Sequence, residues 1–563
     1  MRSTPFNRTA SWIVIGLFGA TFALSLFVPN YTDEITIKLT RVQVLLDGFE
    51  LTSLYPQCGP AFSLHVPWSW IPGAFIDWGI YGNVTEPIFL RIIGMSTFIV
   101  WLGMLAWFIR RNLKAEISSL HIIAGLISFV TLGVLPFLLV LNRSEQPLLV
   151  GLTLIGMLPY IVAHYQPRTN LAWILIVVIF CLTTSYMFSS HPKTFFFIPL
   201  MLVSALHLSV TSKRVWMGVV MLVSLALVCY DSLIFWTSYL NCPDAPLLDT
   251  ILKSQSLSIG TLFSAPKEFV LAGLRSLAHS SVYIKNVLFE WSYQSDWLPS
   301  RPDQKLDWFS GLNDVDISLI YLSTVGYAIF ALARKLRACL LANILVPETT
   351  IPFALFIGIF SCSFFLVAKN FYESALILPL FLLLVVLLLP ALLETNQDSR
   401  VRLHIFKFLL IASIASQVNL ILTFVPYVTG TWLAGGQVAG QVLSVSPFNY
   451  KKTREDAIAA AANCGITVNN LNTHLVIDDS TYFPFKDAYR PFHVLYISRV
   501  FGKDIGDRNL IQFLKEKNSA GVITRCDDLS PENLKFTIKH ANYCCISQQE
   551  INTLGANIQT RNK

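Results

Sequence analysis

Charge is what this chain is short of. Of its 563 residues only 13% are Asp, Glu, Lys or Arg, while 54% are hydrophobic; a soluble domain carries about 25% charged residues. Mean hydropathy is +0.57, so the composition is that of a membrane protein. The net charge of +7 is modest, and the basic residues gather at the ends of hydrophobic runs. They read as topology signals, and nucleic acid is not expected as a partner. Recognition motifs are missing too: no HExxH, no Walker loop, no dinucleotide fingerprint and no GxSxG elbow occur. ATP hydrolysis is therefore not expected, and any chemistry would draw on an activated substrate. CxxC pairs, Cys/His zinc spacings, repeats and long low-complexity linkers are also absent.

What is present is a series of apolar runs. Segments of roughly 17–25 apolar residues can cross a bilayer. Eleven are expected, at about 11–28, 88–108, 120–140, 147–164, 171–189, 194–210, 215–237, 316–333, 350–368, 374–392 and 405–427. Arg2 and Arg8 precede the first, but no small-x-small cleavage site follows before Pro29, so it reads as an uncleaved span. Arg110, Arg111, Lys114, Lys213, Arg214, Arg334, Lys335, Arg337, Arg400, Arg402 and Lys407 all fall on the N-terminal side of the membrane. By the positive-inside rule that side is cytoplasmic, and the C-terminus lies outside.

Three outside segments are large. The loop 29–87 opens with an amphipathic pattern, Ile35, Leu39, Val42, Leu46 and Phe49, and later supplies Trp68, Trp70 and Trp78, which suit a headgroup-level belt. The loop 238–315 has the mixed polarity of short interfacial helices. The segment 429–563 alternates strand and helix patterns: REDAIAAAANCG is a helix ending at Gly465, HLVIDD, HVLYIS and AGVITRC are strands, RNLIQFLKEKN is a helix, and SPENLKFTIKH follows with Ser530 as a cap. Asp478 and Asp479 fit a strand-ending turn better than a binding site. Six outside cysteines permit disulfides. Cys58 could pair with Cys242, and Cys526 with Cys544 or Cys545; buried free thiols are the alternative.

The candidate chemistry sits in the outside turns. NYTDEITIKL places Asp33 and Glu34 just beyond the first span. Such carboxylates can take an acceptor proton or hold a metal that does similar work, or merely cap a helix. IYGNVTEPIFLRIIG brings Arg91 to the start of the second span. LNRSEQP offers Arg143 and Glu145, SSHPKTFFFIP offers His191 and Lys193, and KNFYESALILP offers Lys369, Tyr372 and Glu373. Cations on the outside run against the charge bias, and they suit a phosphate whose charge grows during a reaction.

The acidic pair after the first span resembles the catalytic loop of the polytopic, lipid-phosphate-sugar-dependent glycosyltransferases of the GT-C superfamily. Glu86, Pro87, Leu90 and Arg91 are similar to the helix entry of the dolichyl-phosphate-mannose protein mannosyltransferase-like branch. The resemblance implies a GT-C-like polytopic α-helical membrane protein of about eleven transmembrane helices over 1–428. The small α/β extracytoplasmic domain, 429–563, would be an appendage. It implies transfer of a sugar from a polyprenyl-phosphate donor to a glycan, lipid or protein acceptor. Asp33 would be base or metal ligand, with Glu34 and Glu145 assisting, and a divalent metal, if used, would bind Asp33 and Glu145. Arg91, Arg143, His191, Lys193, Lys369 and Tyr372 would contact donor phosphate. The sequons Asn30-Tyr31-Thr32 and Asn142-Arg143-Ser144 adjoin these residues; a glycan there would block the site, which favours a bacterial inner membrane. Alternatives are a flippase for lipid-linked sugars, although no paired broken helices or inverted repeat is seen, and a non-catalytic scaffold presenting its tail.

Overall fold

The structure is a computed structural model. It describes residues 5–31, 33–35, 42, 45, 50–51, 64–112, 117–240, 254–288, 307–342, 346–369, 372–393, 399–433, 444–447, 450–467, 474–486, 492–493, 514–515, 519–529, 531 and 533–561. Contacts divide the chain into two compact units. One comprises Met1–Val28, Ile92–Tyr230 and Gln255–Gly430; the other comprises Pro29–Arg91, Asp231–Ser254 and Thr431–Lys563.

The described residues of the first unit are mainly helical, with an isolated antiparallel bridge between Ser256 and Leu366. Among the described residues nine helices are long and apolar enough to cross a membrane, and with the composition they make the chain an integral membrane protein. The expected count of eleven is not reached among the described residues. The spans expected at 120–140 and 374–392 hold shorter apolar helices, Ser119–Val130 and Glu373–Leu389. The first of these is interrupted because Gly133 adopts φ +55°, a left-handed conformation that glycine tolerates best. A Cβ on Gly133 would lie 2.5 Å from the Leu288 carbonyl oxygen. The freed backbone is not wasted: Gly133 N–H donates to Ser416 Oγ (2.7 Å) and Val134 N–H to the Leu288 carbonyl (3.2 Å). The second opens with a π-helical turn, Glu373–Ile377, before the helix Leu378–Leu393. Nearly every side chain from Leu376 to Leu388 is buried by protein, so this run is apolar because it is core.

Polar groups inside the helices are paired with neighbours. Trp101 Nε1 donates to Thr153 Oγ1 (2.9 Å), and Gln146 Nε2 donates to the carbonyls of Gly94 (2.6 Å) and Leu139 (3.0 Å). Gln417 Nε2 donates to Ser413 Oγ (3.0 Å) and the Val14 carbonyl (3.4 Å). These are the bonds a protein interior demands of buried amides.

In the second unit, β1 (Asn30–Tyr31) pairs antiparallel with β4 (Ser444–Val445), joining Asn30 to Val445 and Tyr31 to Ser444. The strands β2 (Glu50–Leu51) and β3 (Leu64–His65) pair antiparallel. Leu39, Leu46 and Phe49, three of the five positions of the expected surface helix, lie outside the described residues; Asp33–Ile35, Val42 and Leu45 are helical. Of the expected tryptophan belt, Trp68 and Trp78 are exposed but Trp70 is buried. The 3-10 turn Trp68–Trp70 turns it inward, where Nε1 donates to Ser232 Oγ (2.7 Å) and the ring meets Phe235.

The tail carries a five-stranded sheet in the order β6-β5-β7-β9-β8, with β5 Leu475–Ile477, β6 Phe492–His493, β7 Gly521–Arg525, β8 Ile538–His540 and β9 Tyr543–Ser547. The strand β5 runs parallel to β6 and β7, while β9 is antiparallel to β7 and β8. The expected helix Tyr450–Asn463 is present and stops before Gly465 at φ +72°. SPENLKFTIKH departs from the helical expectation: it forms a 3-10 turn, Asn533–Phe536, and the strand β8, where the β-branched Ile538 favours extended backbone. Ser530 lies outside the described residues. Asp478 is an N-cap, as the turn reading expected. Its side chain accepts from Thr481 N–H (2.8 Å) while Thr481 Oγ1 accepts from Asp478 N–H (2.8 Å).

Adjacent Cys544 and Cys545 point to opposite faces of β9, so each staples a different face. Cys526–Cys544 is one of the two expected pairings, and Cys464–Cys545 ties the sheet to the end of the helix Tyr450–Asn463. Cys58 and Cys242 lie outside the described residues.

Candidate functional site

The candidate residues fall into two groups, one in each unit. In the second unit Asp33 and Glu34 open a helical turn after β1. Neighbours on a helix point about 100° apart, and here the two carboxylates part company. Glu34 is completely buried, whereas Asp33 is half-buried. Glu34 Oε2 accepts from Tyr31 N–H (2.8 Å), the return bond that a glutamate makes three residues into a helix. The same oxygen accepts from Arg91 Nη2 (3.0 Å), and that Nη2 also donates to the Pro29 carbonyl (2.9 Å). Arg91 and Glu34 side chains are both fully enclosed. Arg91 thus braces the turn that carries Asp33, at both its entrance, Pro29, and its buried acid. Asn30 is also fully buried.

In the first unit three turns meet around Glu145. Lys193 Nζ donates to Glu145 Oε1 (2.9 Å), Arg143 Nε lies 3.4 Å from Oε2, and His191 Nε2 lies 3.9 Å from Oε1. His191 caps the 3-10 turn Pro192–Phe197 by accepting Lys193 N–H at Nδ1 (3.0 Å). That bond occupies Nδ1 and leaves Nε2 turned toward Glu145. Lys193 Nζ also stands 4.0 Å from the Tyr372 ring centre. Lys369 Nζ, 5.9 Å from the same ring centre, donates to Glu373 Oε1 (2.6 Å) and to the Ser363 carbonyl (2.7 Å). Three fixed cations, Arg143, Lys193 and Lys369, face two carboxylates, Glu145 and Glu373, which leaves one positive charge in excess.

A cavity of about 10 Å³ borders this cluster, walled by Leu138, Leu139, Leu141, Leu149 and Ala375 with Arg143, Glu145 and Gln146. That is room for about one water molecule. Asn142, the second sequon asparagine, is buried as Asn30 is. Among the described residues no three His, Cys, Asp or Glu side chains are grouped to hold a metal ion. Glu145, ringed by Lys193, Arg143 and His191, suits an anion beside it better than a divalent cation.

Comparison with solved structures finds similar chains, two of which follow. The crystal structure of ArnT from Cupriavidus metallidurans bound to undecaprenyl phosphate is 9% identical with a TM-score of 0.42, covering 95% of this chain and 97% of that one. The archaeal oligosaccharyltransferase AglB from Archaeoglobus fulgidus, in complex with an inhibitory peptide and a dolichol-phosphate, is 10% identical with a TM-score of 0.39, covering 91% and 69%. Likenesses of this depth carry no residue across. No family model and no curated protein matches the chain.

Sequence reasoning named Glu373 beside Lys369 and Tyr372 but gave it no role. Its spacing from Lys369, four residues, is the one signal that pairs them. The partners of Glu34 and Glu145 had no such signal, being 57 and 48 residues away.

The tail holds a third buried acid pair. Burial would raise the Asp478 carboxyl, but Arg525, the Ser480 hydroxyl and the N–H groups of Arg525 and Thr481 outweigh it and hold it below the usual range. Nearby Asp528 goes the other way: burial first, then the charge of Asp478, push it up to about 8.

Proposed function

We propose that the chain is a membrane glycosyltransferase that takes its sugar from a polyprenyl-phosphate donor. The acceptor is a hydroxyl-bearing glycan, lipid or protein. The observation that carries the reading is the convergence of Arg143, His191 and Lys193 on Glu145 and Tyr372, from turns that charge bias puts on the outer face. The NYTDEITIKL loop supports it from the sequence side.

In the transfer, the acceptor oxygen bonds to the sugar C1 as the C1–O bond to phosphate breaks. The acceptor proton needs a base, and the NYTDEITIKL loop offers Asp33, the half-buried acid of its pair, for that role. The departing polyprenyl phosphate goes from one negative charge to two, and the added charge is what Lys193 and Arg143 stabilise. Glu34 and Arg91 hold the Asp33 turn in place. Glu145 orients Lys193 and Arg143, and Tyr372, held by Lys369, supports Lys193 through its ring. No step is routed through a metal. The Lys/Arg bias supports a reaction on the outer face, and the two sequons beside these residues favour a bacterial inner membrane.

The test is reconstitution. Purified protein in lipid vesicles is given polyprenyl-phosphate sugars and an extract of envelope lipids and glycans. Wild type should transfer label and Asp33→Asn should not, both melting alike; equal transfer by the variant sinks the proposal.

A further inference from the structure

Glu373 is a buried charge to which the proposed transfer gives no part. Its side chain is fully enclosed, and Oε1 accepts from Lys369 Nζ at 2.6 Å and from the Ser280 hydroxyl at 3.4 Å. Lys369 is enclosed to the same degree. A lysine so placed keeps its charge only beside an opposite one. Its three donors are matched by three acceptors: Glu373, the Ser363 carbonyl at 2.7 Å and the Tyr372 hydroxyl at 3.5 Å. In this arrangement Lys369 is spent on the protein, and the group it steadies is Tyr372.

Tyr372 passes the effect on. Its ring faces Lys193 Nζ at 4.0 Å, within the range of a cation–π contact, and the same Nζ is the one that meets Glu145. Lys193 therefore has two fixed supports, an anion in front and a ring behind. The ring is held in turn by the Glu373–Lys369 pair. The backbone is specialised for this: Glu373 begins a π-helical turn, a form used sparingly and often near functional sites.

We propose that Glu373 is a positioning residue. Acting through Lys369 and Tyr372, it sets where Lys193 places its charge. The functional value of that placement rests on the reading of Lys193 as a phosphate contact, but the coupling of Glu373 to Lys193 can be read without substrate.

The experiment follows Lys193 directly. Full-length protein in detergent is treated with formaldehyde and cyanoborohydride, and dimethylation of Lys193 is timed by peptide mass spectrometry. Glu373→Gln removes the charge while keeping the shape. Should the stranded Lys369 prevent folding, Lys369→Met with Glu373→Gln removes both charges together. In either folded variant Lys193 should label several-fold faster than in wild type, because its ring support is loosened. Kinetics on the same preparations should show kcat falling while KM for the polyprenyl-phosphate sugar stays within about twofold, since the charge Lys193 meets grows during the reaction. A purely structural role would lower the yield of folded protein and leave Lys193 labelling and kcat unchanged, which overturns the proposal. A wild type without transfer overturns the glycosyltransferase reading and leaves the labelling result as the answer on Glu373.

Discussion

Glu34 and Glu145 are both buried carboxylates facing cations, yet they are built for different work. Glu34 is sealed: its cation, Arg91, is fully enclosed, and that guanidinium also ties down the Pro29 carbonyl. Glu145 is surrounded by three basic side chains of which Arg143, His191 and Lys193 all keep some exposure. A pair that is sealed can only hold a shape. A carboxylate sharing its charge among several partly exposed cations leaves them able to meet another anion. The difference teaches that burial of an ion pair does not by itself mark a reacting group; what matters is which member stays reachable.

Breaking the sealed pair should have the largest effect on folding. Arg91→Met leaves Glu34 charged, buried and unmatched, which costs about 3–5 kcal/mol. Thermal unfolding in detergent should show the loss, and Arg91→Met with Glu34→Gln should recover most of it. If the single variant melts with wild type, the brace is not one.

Lys193→Gln asks the opposite of the other site. Glu145 keeps Arg143 beside it, so the melting temperature should move little, while kcat should fall on the order of 10², as when one stabilising donor is lost. A large drop in stability with kcat intact would make the two sites alike.

The tail adds a third case. Asp528 binds a proton in the folded protein up to about pH 8, while an unfolded aspartate loses it near pH 4. The folded state therefore holds the extra proton between those values, and stability of the tail falls as pH rises across them. Asp478, held low, contributes stability above the unfolded carboxyl pKa and loses it only as pH falls through its depressed folded value. Asp528→Asn should remove the decline between pH 4 and 8, read as slower hydrogen exchange of Gly521–Arg525 at pH 8 than in wild type.

Much of this was legible in the residues and some was not. Hydropathy located the apolar segments but could not see that 120–140 is interrupted, because Thr131 to Val134 look as apolar as their surroundings and the cause is the Leu288 carbonyl pressed against Gly133. The run 374–392 could be read as apolar, but its composition did not say that its side chains pack against protein on nearly all sides. Trp70 was indistinguishable from Trp68 and Trp78 until Ser232 was seen beneath it. The turns that carry Glu145, His191, Lys193 and Tyr372 could be named from topology. Their pairing could not, because charge attraction across 48 residues leaves no spacing to read, whereas Lys369 and Glu373 sit one helical turn apart. Cys545 likewise finds Cys464 at a separation of 81 residues.

The account turns on the division of labour between two adjacent acids. Asp33→Asn and Glu34→Gln, purified side by side, should be assayed for sugar transfer per folded molecule and for melting temperature. The account predicts that Asp33→Asn keeps its melting temperature and loses transfer by about 10²–10⁴. Glu34→Gln should melt lower and yet turn over in proportion to what remains folded. Transfer surviving without the Asp33 carboxylate, or vanishing with Glu34→Gln while the fold stays intact, would contradict it.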